Sequence, residues 1–262
     1  MDFKNIIYEK KDRIAKITLN RPHKMNALND GLLYDLERAL EEADQDDEVR
    51  VVILTGAGKA FSAGYDLSEE EWLLTNPESH GKYPTVLPEG TRRRVTDMVR
   101  GDQRRWQWYE RIWNLSKPTI AQVNGHCLAG GCYLQMLCDL AIASENATFG
   151  HPGQRRFGGV TGMPLWIWLL GARKAKELLF TGNTIDAKEA ERIGLVNKVV
   201  SADKLEEEVN SLAQQIASIP PDAVGLLKQA LNTTLDIMGM GTTFRYLSHM
   251  HAFTSFVQRE DS

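Results

Sequence analysis

The feature that most limits what this chain can fold into is the run Asn124-Gly125-His126-Cys127-Leu128-Ala129-Gly130-Gly131-Cys132-Tyr133-Leu134. Before it stands Pro118-Thr119-Ile120-Ala121-Gln122-Val123, short, apolar and β-branched, the pattern of a buried strand. After it, Leu134-Gln135-Met136-Leu137-Cys138 reads as the body of a buried helix. The glycines therefore fall where a strand hands over to a helix. A helix start carries unpaired N–H groups and the positive end of the backbone dipole, so it suits an anion. Glycine there lets another molecule come close to the backbone. Taken alone, the run is equally consistent with a tight turn that binds nothing.

A second loop of the same kind, Lys59-Ala60-Phe61-Ser62-Ala63-Gly64-Tyr65-Asp66-Leu67, follows the strand Val51-Val52-Ile53-Leu54-Thr55 and the turn Gly56-Ala57-Gly58. Ligands of layered α/β proteins favour loops just past the ends of buried strands. Two such loops can each present one backbone N–H to the same oxygen, which makes an oxyanion hole. With these residues the chain resembles the crotonase (enoyl-CoA hydratase/isomerase) superfamily. The resemblance also includes Asn20-Arg21-Pro22 with Asn26-Ala27-Leu28, then Ala147-Thr148-Phe149-Gly150 and Ala190-Glu191-Arg192-Ile193-Gly194-Leu195-Val196, in this order over nearly the whole chain. It implies an α/β fold, a crotonase-type spiral of ββα units over 1–200 that binds acyl-CoA. It also implies a C-terminal helical region over 201–262 that builds a homotrimer, often a dimer of trimers.

Composition excludes several classes. A chain of 262 residues fits one domain with a real core, with room for a helical extension. The formal charge of -4 supplies no basic field for nucleic acid or an anionic membrane. No apolar run approaches the roughly 20 residues of a membrane helix. Met1-Asp2-Phe3-Lys4-Asn5 has neither a signal-peptide core nor a transit pattern. Cys127, Cys132 and Cys138 crowd one segment without metal-ligand spacing, so they read as buried thiols in a reducing cytoplasm.

Taken in order, Ile6–Lys10 and Ile14–Leu19 read as a hairpin around Lys11-Asp12-Arg13. Asp30 is a good N-cap for a helix with Leu33, Leu36, Leu40 and Ala43 on one face. Between Ser68 and Gly90 the pattern dissolves into acids, prolines and glycines around Trp72, Leu73 and Leu74, a loop long enough to be functional or mobile. A helix is predicted from Thr91 to Leu115, with arginines at 92, 93, 94, 100, 104 and 105 on a solvated face or reaching a CoA phosphate, and Trp106, Trp108 and Trp113 packed beneath. A strand at 140–143, a glycine-rich loop from His151 to Pro164 and a helix from Trp166 follow. Asp186 caps a short helix, and Val196–Val200 reads as a late strand. The last third, with Leu205, Val209, Leu212 and Ile216 at helical spacing and then 221–236 and 241–258, is all helix, with no sheet of its own to cover.

The resemblance places the donors of the hole at the backbone N–H groups of Tyr65 and Gly130, aimed at a thioester oxygen. It also places CoA along Lys24, Ala27, Ala63 and Asp66, with Gly131 and Gly153 completing the substrate-binding set. CoA is then part of the substrate, and no separate cofactor or metal is implied. The chain departs from the family at the acid/base groups. Typical hydratases carry two glutamates where this chain has Tyr133 and Gly153. General acid–base work supplies about 10²–10⁴ in rate, so their loss weighs against the ordinary route. Gly153 is a feature shared with dihydroxynaphthoyl-CoA synthases, in which bicarbonate can replace the carboxylate, and with oxocyclohexanecarboxyl-CoA hydrolases.

His151, two residues before Gly153, has the pKa range of a proton shuttle or is a hydrogen-bonded structural histidine. Tyr133 is a proton donor to an enolate or a core aromatic. Arg155 and Arg156 hold an anion or are solvated. Asp66 organises its turn by accepting local N–H groups, and Glu69, Glu70 and Glu71 read as solvated. With no phosphate loop and no GxSxG elbow, nucleotide triphosphatases and serine α/β-hydrolases are excluded. Hydration of an enoyl-CoA with substitute acid/base groups is the first reading. C–C cleavage or ring formation on a cyclic or carboxylated acyl-CoA is the second, and a silent acyl-CoA-binding homologue is the alternative of another class.

Overall fold

A computed structural model describes residues 2–66, 107–157 and 160–257, without the side chains of 156, 157 and 252–257. Its first two strands, β1 (Ile6–Lys11) and β2 (Ile14–Leu19), form the expected antiparallel hairpin with Ile6 opposite Leu19. The turn uses positive φ at both Asp12 (50°) and Arg13 (67°), which matches the right-handed twist of the strands. Next, α1 (Asp30–Gln45) buries Leu32, Leu33, Leu36, Leu40 and Ala43. Its cap is Asn29, whose side chain accepts the Leu32 N–H at 2.9 Å. Asp30, expected in that role, is the first helical residue, where its charge still faces the favourable end of the dipole.

β3 (Val51–Gly56) is buried along its whole length, as a strand covered on both faces must be. Val52 and Leu54 enter the main core, and Val51 and Ile53 point the other way. On that second face they meet Ile14, Ile120 and Ile142, and α7 (Leu205–Ala217) lays Leu205, Val209, Ala213 and Ala217 across them. Each leucine or valine so buried contributes roughly 1.5–3 kcal/mol. The C-terminal region therefore does have a sheet to cover, contrary to the reading from sequence; α7 is one face of the core.

The large sheet has the order β1-β2-β3-β5-β7-β10, with β5 (Thr119–Val123), β7 (Leu140–Ser144) and β10 (Lys198–Val200), and is parallel from β2 onward. A smaller sheet has the order β4-β6-β8-β9, made of β4 (Ala60–Ser62), β6 (His126–Leu128), β8 (Thr148–Gly150) and β9 (Thr184–Asp186). Each of β3, β5 and β7 is followed at once by a strand of the small sheet. A helix then returns the chain: α3 (Gly130–Leu137) after β6, and α4 (Gln154–Phe157) with α5 (Leu165–Thr181) after β8. This is the spiral of ββα units that the resemblance implies.

Residues 107–113 form α2, with Trp108, Tyr109 and Ile112 buried. The rest of the helix expected from Thr91, its arginines and the loop from Ser68 to Gly90 with Glu69–Glu71 lie outside the described residues. Asp186 caps α6 (Ala187–Arg192) by accepting the Glu189 N–H at 2.8 Å, as expected. α8 (Pro221–Ile237) and α9 (Met240–Val257) close the chain. Lys228 pins α8 to the sheet, donating to Asp139 Oδ2 at 2.8 Å and to the Lys117 carbonyl at 3.0 Å. The three cysteines are free and buried. Burial, with Asp139 beside it, pushes the Cys138 thiol up to about 12, so it is inert as a nucleophile. No described helix is long and apolar enough to cross a membrane.

Candidate active site

The small-residue loop after β4 is held by the segment 20–28. Arg21 and Asp66 are both buried, and the Arg21 Nη2 lies 3.0 Å from Asp66 Oδ2. Arg21 also donates to the Ala27 carbonyl. The fully buried Asn26 accepts the Arg21 N–H at 2.9 Å and donates to the Ala57 and Ala60 carbonyls at 2.9 and 2.8 Å. Ser62 Oγ donates to the Asn26 carbonyl at 2.8 Å and accepts the Gly64 N–H at 3.2 Å. Asp66, read as holding its own turn, bonds Arg21, 45 residues back in the chain. Around Tyr65 the ladder bonds fall on its neighbours, Leu28 N–H to the Gly64 carbonyl at 2.7 Å and Asp66 N–H to the Leu28 carbonyl at 2.9 Å. The Tyr65 N–H consequently points away from Leu28.

The second loop turns from β6 into α3 through Ala129, at φ 48° and ψ -116°. A non-glycine residue there stores roughly 1–3 kcal/mol of strain and persists only where its surroundings hold it. Here the Ala129 N–H donates to the Gly150 carbonyl at 2.8 Å, and the Ala129 carbonyl accepts the Tyr133 N–H at 3.3 Å. The two loops are in contact. A β-carbon on Gly64, where φ is +97°, would lie 3.1 Å from the Gly130 nitrogen. One on Gly130 would lie 2.9 Å from Tyr65 Cε2, and one on Gly131 only 2.3 Å from the Ser62 carbonyl. These glycines are required because two backbones and the Tyr65 ring share one small volume.

One helical turn after Gly130, on the same face of α3, stands Tyr133. Its hydroxyl is 2.9 Å from His151 Nε2 and 2.6 Å from Thr161 Oγ1. His151 is half-buried, and its buried Nδ1 has no hydrogen-bond partner. Desolvation, with a smaller contribution from His251, pushes its pKa down, so the imidazole is neutral at pH 7. Tyr109 of α2 stands edge-on to the Tyr133 ring, with centroids 6.2 Å apart, and its hydroxyl bonds that of Tyr65. Tyr65, Tyr109, Tyr133 and His151 are thereby one connected cluster over the start of α3. The sequence pointed to Tyr65, Tyr133 and His151; Tyr109 and Thr161 were missed.

The model of the enoyl-CoA hydratase/isomerase family matches residues 9–83 and 89–262. The chain belongs to that family. It is 37% identical to the short-chain-enoyl-CoA hydratase of Clostridium acetobutylicum, over 99% of this chain and 97% of that one. It is also 37% identical to the crotonyl-CoA hydratase of Syntrophomonas wolfei, over 88% and 83% of the two chains. The fold matches the crystal structure of an enoyl-CoA hydratase/isomerase from Xanthobacter autotrophicus Py2 with a TM-score of 0.84 at 35% identity, covering 97% of this chain and 88% of that one. The α/β spiral is therefore the crotonase fold, and this member of the enoyl-CoA hydratase/isomerase family is an enzyme of the hydratase type.

The remaining positions named from sequence lie on several elements. Lys24 is exposed at the end of a one-turn 3-10 helix (Pro22–Lys24), and Ala27 and Ala63 carry backbone bonds that fix the loop, Ala63 N–H to the Met25 carbonyl at 2.9 Å. Gly153 lies in the turn between β8 and α4, half-buried. Arg155 is exposed, as the solvated reading has it, and it also donates to the Thr181 carbonyl at 2.9 Å and to Asn183 Oδ1, tying α4 to the end of α5. The Arg156 side chain lies outside the description.

Proposed function

We propose that this enzyme hydrates an enoyl-CoA through a thioester enolate held by the backbone N–H groups of Tyr65 and Gly130. The observation that carries this reading is the contact of the two loops at the start of α3, where Gly130 has no room for a β-carbon beside the Tyr65 ring. One backbone donor of this kind is worth about 10²–10³ in rate. The positive end of α3 adds to it. Water adds to the β-carbon and gives its proton to His151, while Tyr133 passes its own proton to the α-carbon. The proton on His151 then returns to the Tyr133 oxygen along their hydrogen bond, which closes the cycle with one water added. The neutral, desolvated His151 beside the Tyr133 hydroxyl supports these roles in place of two carboxylates.

CoA runs, in this reading, along Lys24, Ala27, Ala63 and Asp66, with the acyl group toward Gly131 and Gly153. The enzyme self-associates through its C-terminal helices as a trimer or a dimer of trimers, works in the cytoplasm, and needs no metal. A second reading, C–C cleavage or ring formation on a cyclic or carboxylated acyl-CoA, is favoured by one residue: Gly153, which leaves the place of a catalytic carboxylate to an anion carried in with the substrate.

The deciding experiment follows α-proton exchange in D₂O by mass spectrometry on saturated, enoyl and cyclic acyl-CoAs. Exchange on straight-chain esters, with loss of the enoyl absorbance of crotonyl-CoA, is the expected result. Exchange confined to cyclic or carboxylated esters replaces it with the second reading. Ester binding without any exchange defeats both and leaves a silent binding homologue.

A further inference from the structure

Thr161 has no place in the reading above, yet it stands closer to the Tyr133 hydroxyl than His151 does. Thr161 Oγ1 stands 2.6 Å from the phenol oxygen, and the Met163 N–H donates to the same Oγ1 at 3.3 Å. A threonine hydroxyl has one proton and two acceptor sites, and Met163 occupies one of the latter. Thr161 can therefore either donate to Tyr133 or accept from it. His151 Nε2, on the other side of the phenol at 2.9 Å, has the same freedom through its tautomers. Thr161, Tyr133 and His151 thus form a three-member chain with two directions. Protons run from Thr161 through Tyr133 to His151, or the reverse. When Tyr133 gives its proton away, the first direction leaves the Thr161 O–H donating to a phenolate. A hydrogen bond to a charged oxygen is about twice as strong as one to a neutral oxygen.

Resting on the acid/base reading of Tyr133, we infer that Thr161 is a positioning residue of the reaction: it holds the Tyr133 hydroxyl against His151 and stabilises the phenolate form. It acts through Tyr133. Thr161 lies 28 residues beyond Tyr133, so the geometry joins α3 to the glycine-rich loop, which share no local motif.

The test compares Thr161→Val, which keeps the shape and removes the hydroxyl, with Thr161→Ser, which keeps the hydroxyl. Crotonyl-CoA is the substrate probe, and a second readout needs no substrate: the ¹³Cζ tyrosine resonance assigned to Tyr133 by its loss in Tyr133→Phe. Thr161→Val lowers kcat about 10- to 100-fold with KM within about twofold, as loss of a hydrogen bond to a charged group predicts. It also makes the Tyr133 phenol titrate about one pH unit higher, one such unit being the size of a single charge-assisted bond. Thr161→Ser recovers most of kcat and the normal titration. Adding Thr161→Val to Tyr133→Phe produces no further loss, because Thr161 acts only through Tyr133. A Thr161→Val enzyme with unchanged kcat and unchanged titration overturns the role of Thr161 and leaves Tyr133 standing if Tyr133→Phe is impaired. Equal losses in the Val and Ser variants, with a lowered melting temperature, reduce Thr161 to packing. Full kcat in Tyr133→Phe sinks this inference together with the reading it rests on.

Discussion

Arg21 Nη2 and Asp66 Oδ2 lie 3.0 Å apart in an ion pair buried at both ends, and the pair ties the loop before α1 to the loop after β4. Ala63, Gly64 and Tyr65 hang between that pair and the Ser62 hydroxyl bonds, so the direction of the Tyr65 N–H is set from both sides. An active-site loop made of small residues has little side-chain packing of its own; its order comes from these polar anchors.

Removing one end of the pair strands a buried charge. Asp66→Asn lowers stability by about 3–5 kcal/mol, the usual cost of breaking a buried pair from one side. Replacing both partners, as Arg21→Met with Asp66→Leu, costs less than the single change. Urea unfolding followed by tryptophan fluorescence measures both. A single variant as stable as the wild type contradicts the account.

The two central glycines separate activity from folding. At Gly130 an added side chain meets the edge of the Tyr65 ring and Leu28 Cδ1, which are side chains and not backbone. At Gly131 it meets the Ser62 carbonyl at 2.3 Å, which is backbone. Gly130→Val thus folds, with an unchanged circular dichroism spectrum, and loses acyl-CoA turnover by at least about 10²-fold. Gly131→Ala loses soluble, folded protein. Turnover unchanged in folded Gly130→Val removes the oxyanion hole from the mechanism.

The contrast with what the sequence alone conveyed lies in range. The hairpin at 6–19, β3 and the Asp186 cap were legible because their signals are local: alternation, a β-branched run, a side chain three residues from its N–H partner. Strands β4 and β6 were hidden in stretches read as loops, and β8 in a motif given no element, since three residues beside glycines carry no period of two. The full burial of β3 was visible, but not that α7 supplies its second cover. At the site, Tyr65, Tyr133 and His151 stood next to recognisable glycine motifs. Tyr109 and Thr161 stand 44 and 28 residues from the hydroxyls they bond, with nothing local to mark them. The arginine at 155 read as solvated or as an anion holder, and it is exposed with hydrogen bonds to the end of α5 that nothing local announces.

His151 gives a pH dependence with a definite sign. Its folded pKa lies below the ordinary histidine value of 6.5, so the folded protein binds fewer protons than the unfolded chain in that range. Its contribution to stability is fully present above about pH 6.5 and is lost as pH falls through the folded pKa. The kcat of the hydratase reaction follows the same acidic limb, because only the neutral imidazole accepts the proton from water. The groups facing it are Tyr133 and His251, and His251→Gln moves that limb upward by removing a neighbouring positive charge. Rate and melting temperature measured between pH 5 and 8 test this. His151→Ala abolishes the limb along with most of kcat; if it retains full kcat, His151 is not the base.

The last prediction concerns α8. Leu226, Leu227 and Leu231 are 66%, 60% and 58% exposed on one helix, and Ile237 and Met238 at its end are 82% and 62% exposed. Single exposed leucines are ordinary, but a run of them along a helix already pinned to its own core by Lys228 is an apolar patch of the kind that marks an interaction surface. Burying each contributes roughly 1.5–3 kcal/mol. If this face joins copies of the chain, Leu227→Glu with Leu231→Glu places two charges in the contact and yields a smaller species by analytical ultracentrifugation. The fold of each chain survives, because neither side chain enters the core. A wild-type protein that sediments as a monomer at all concentrations, or a double variant that keeps the wild-type size, excludes α8 as the interface.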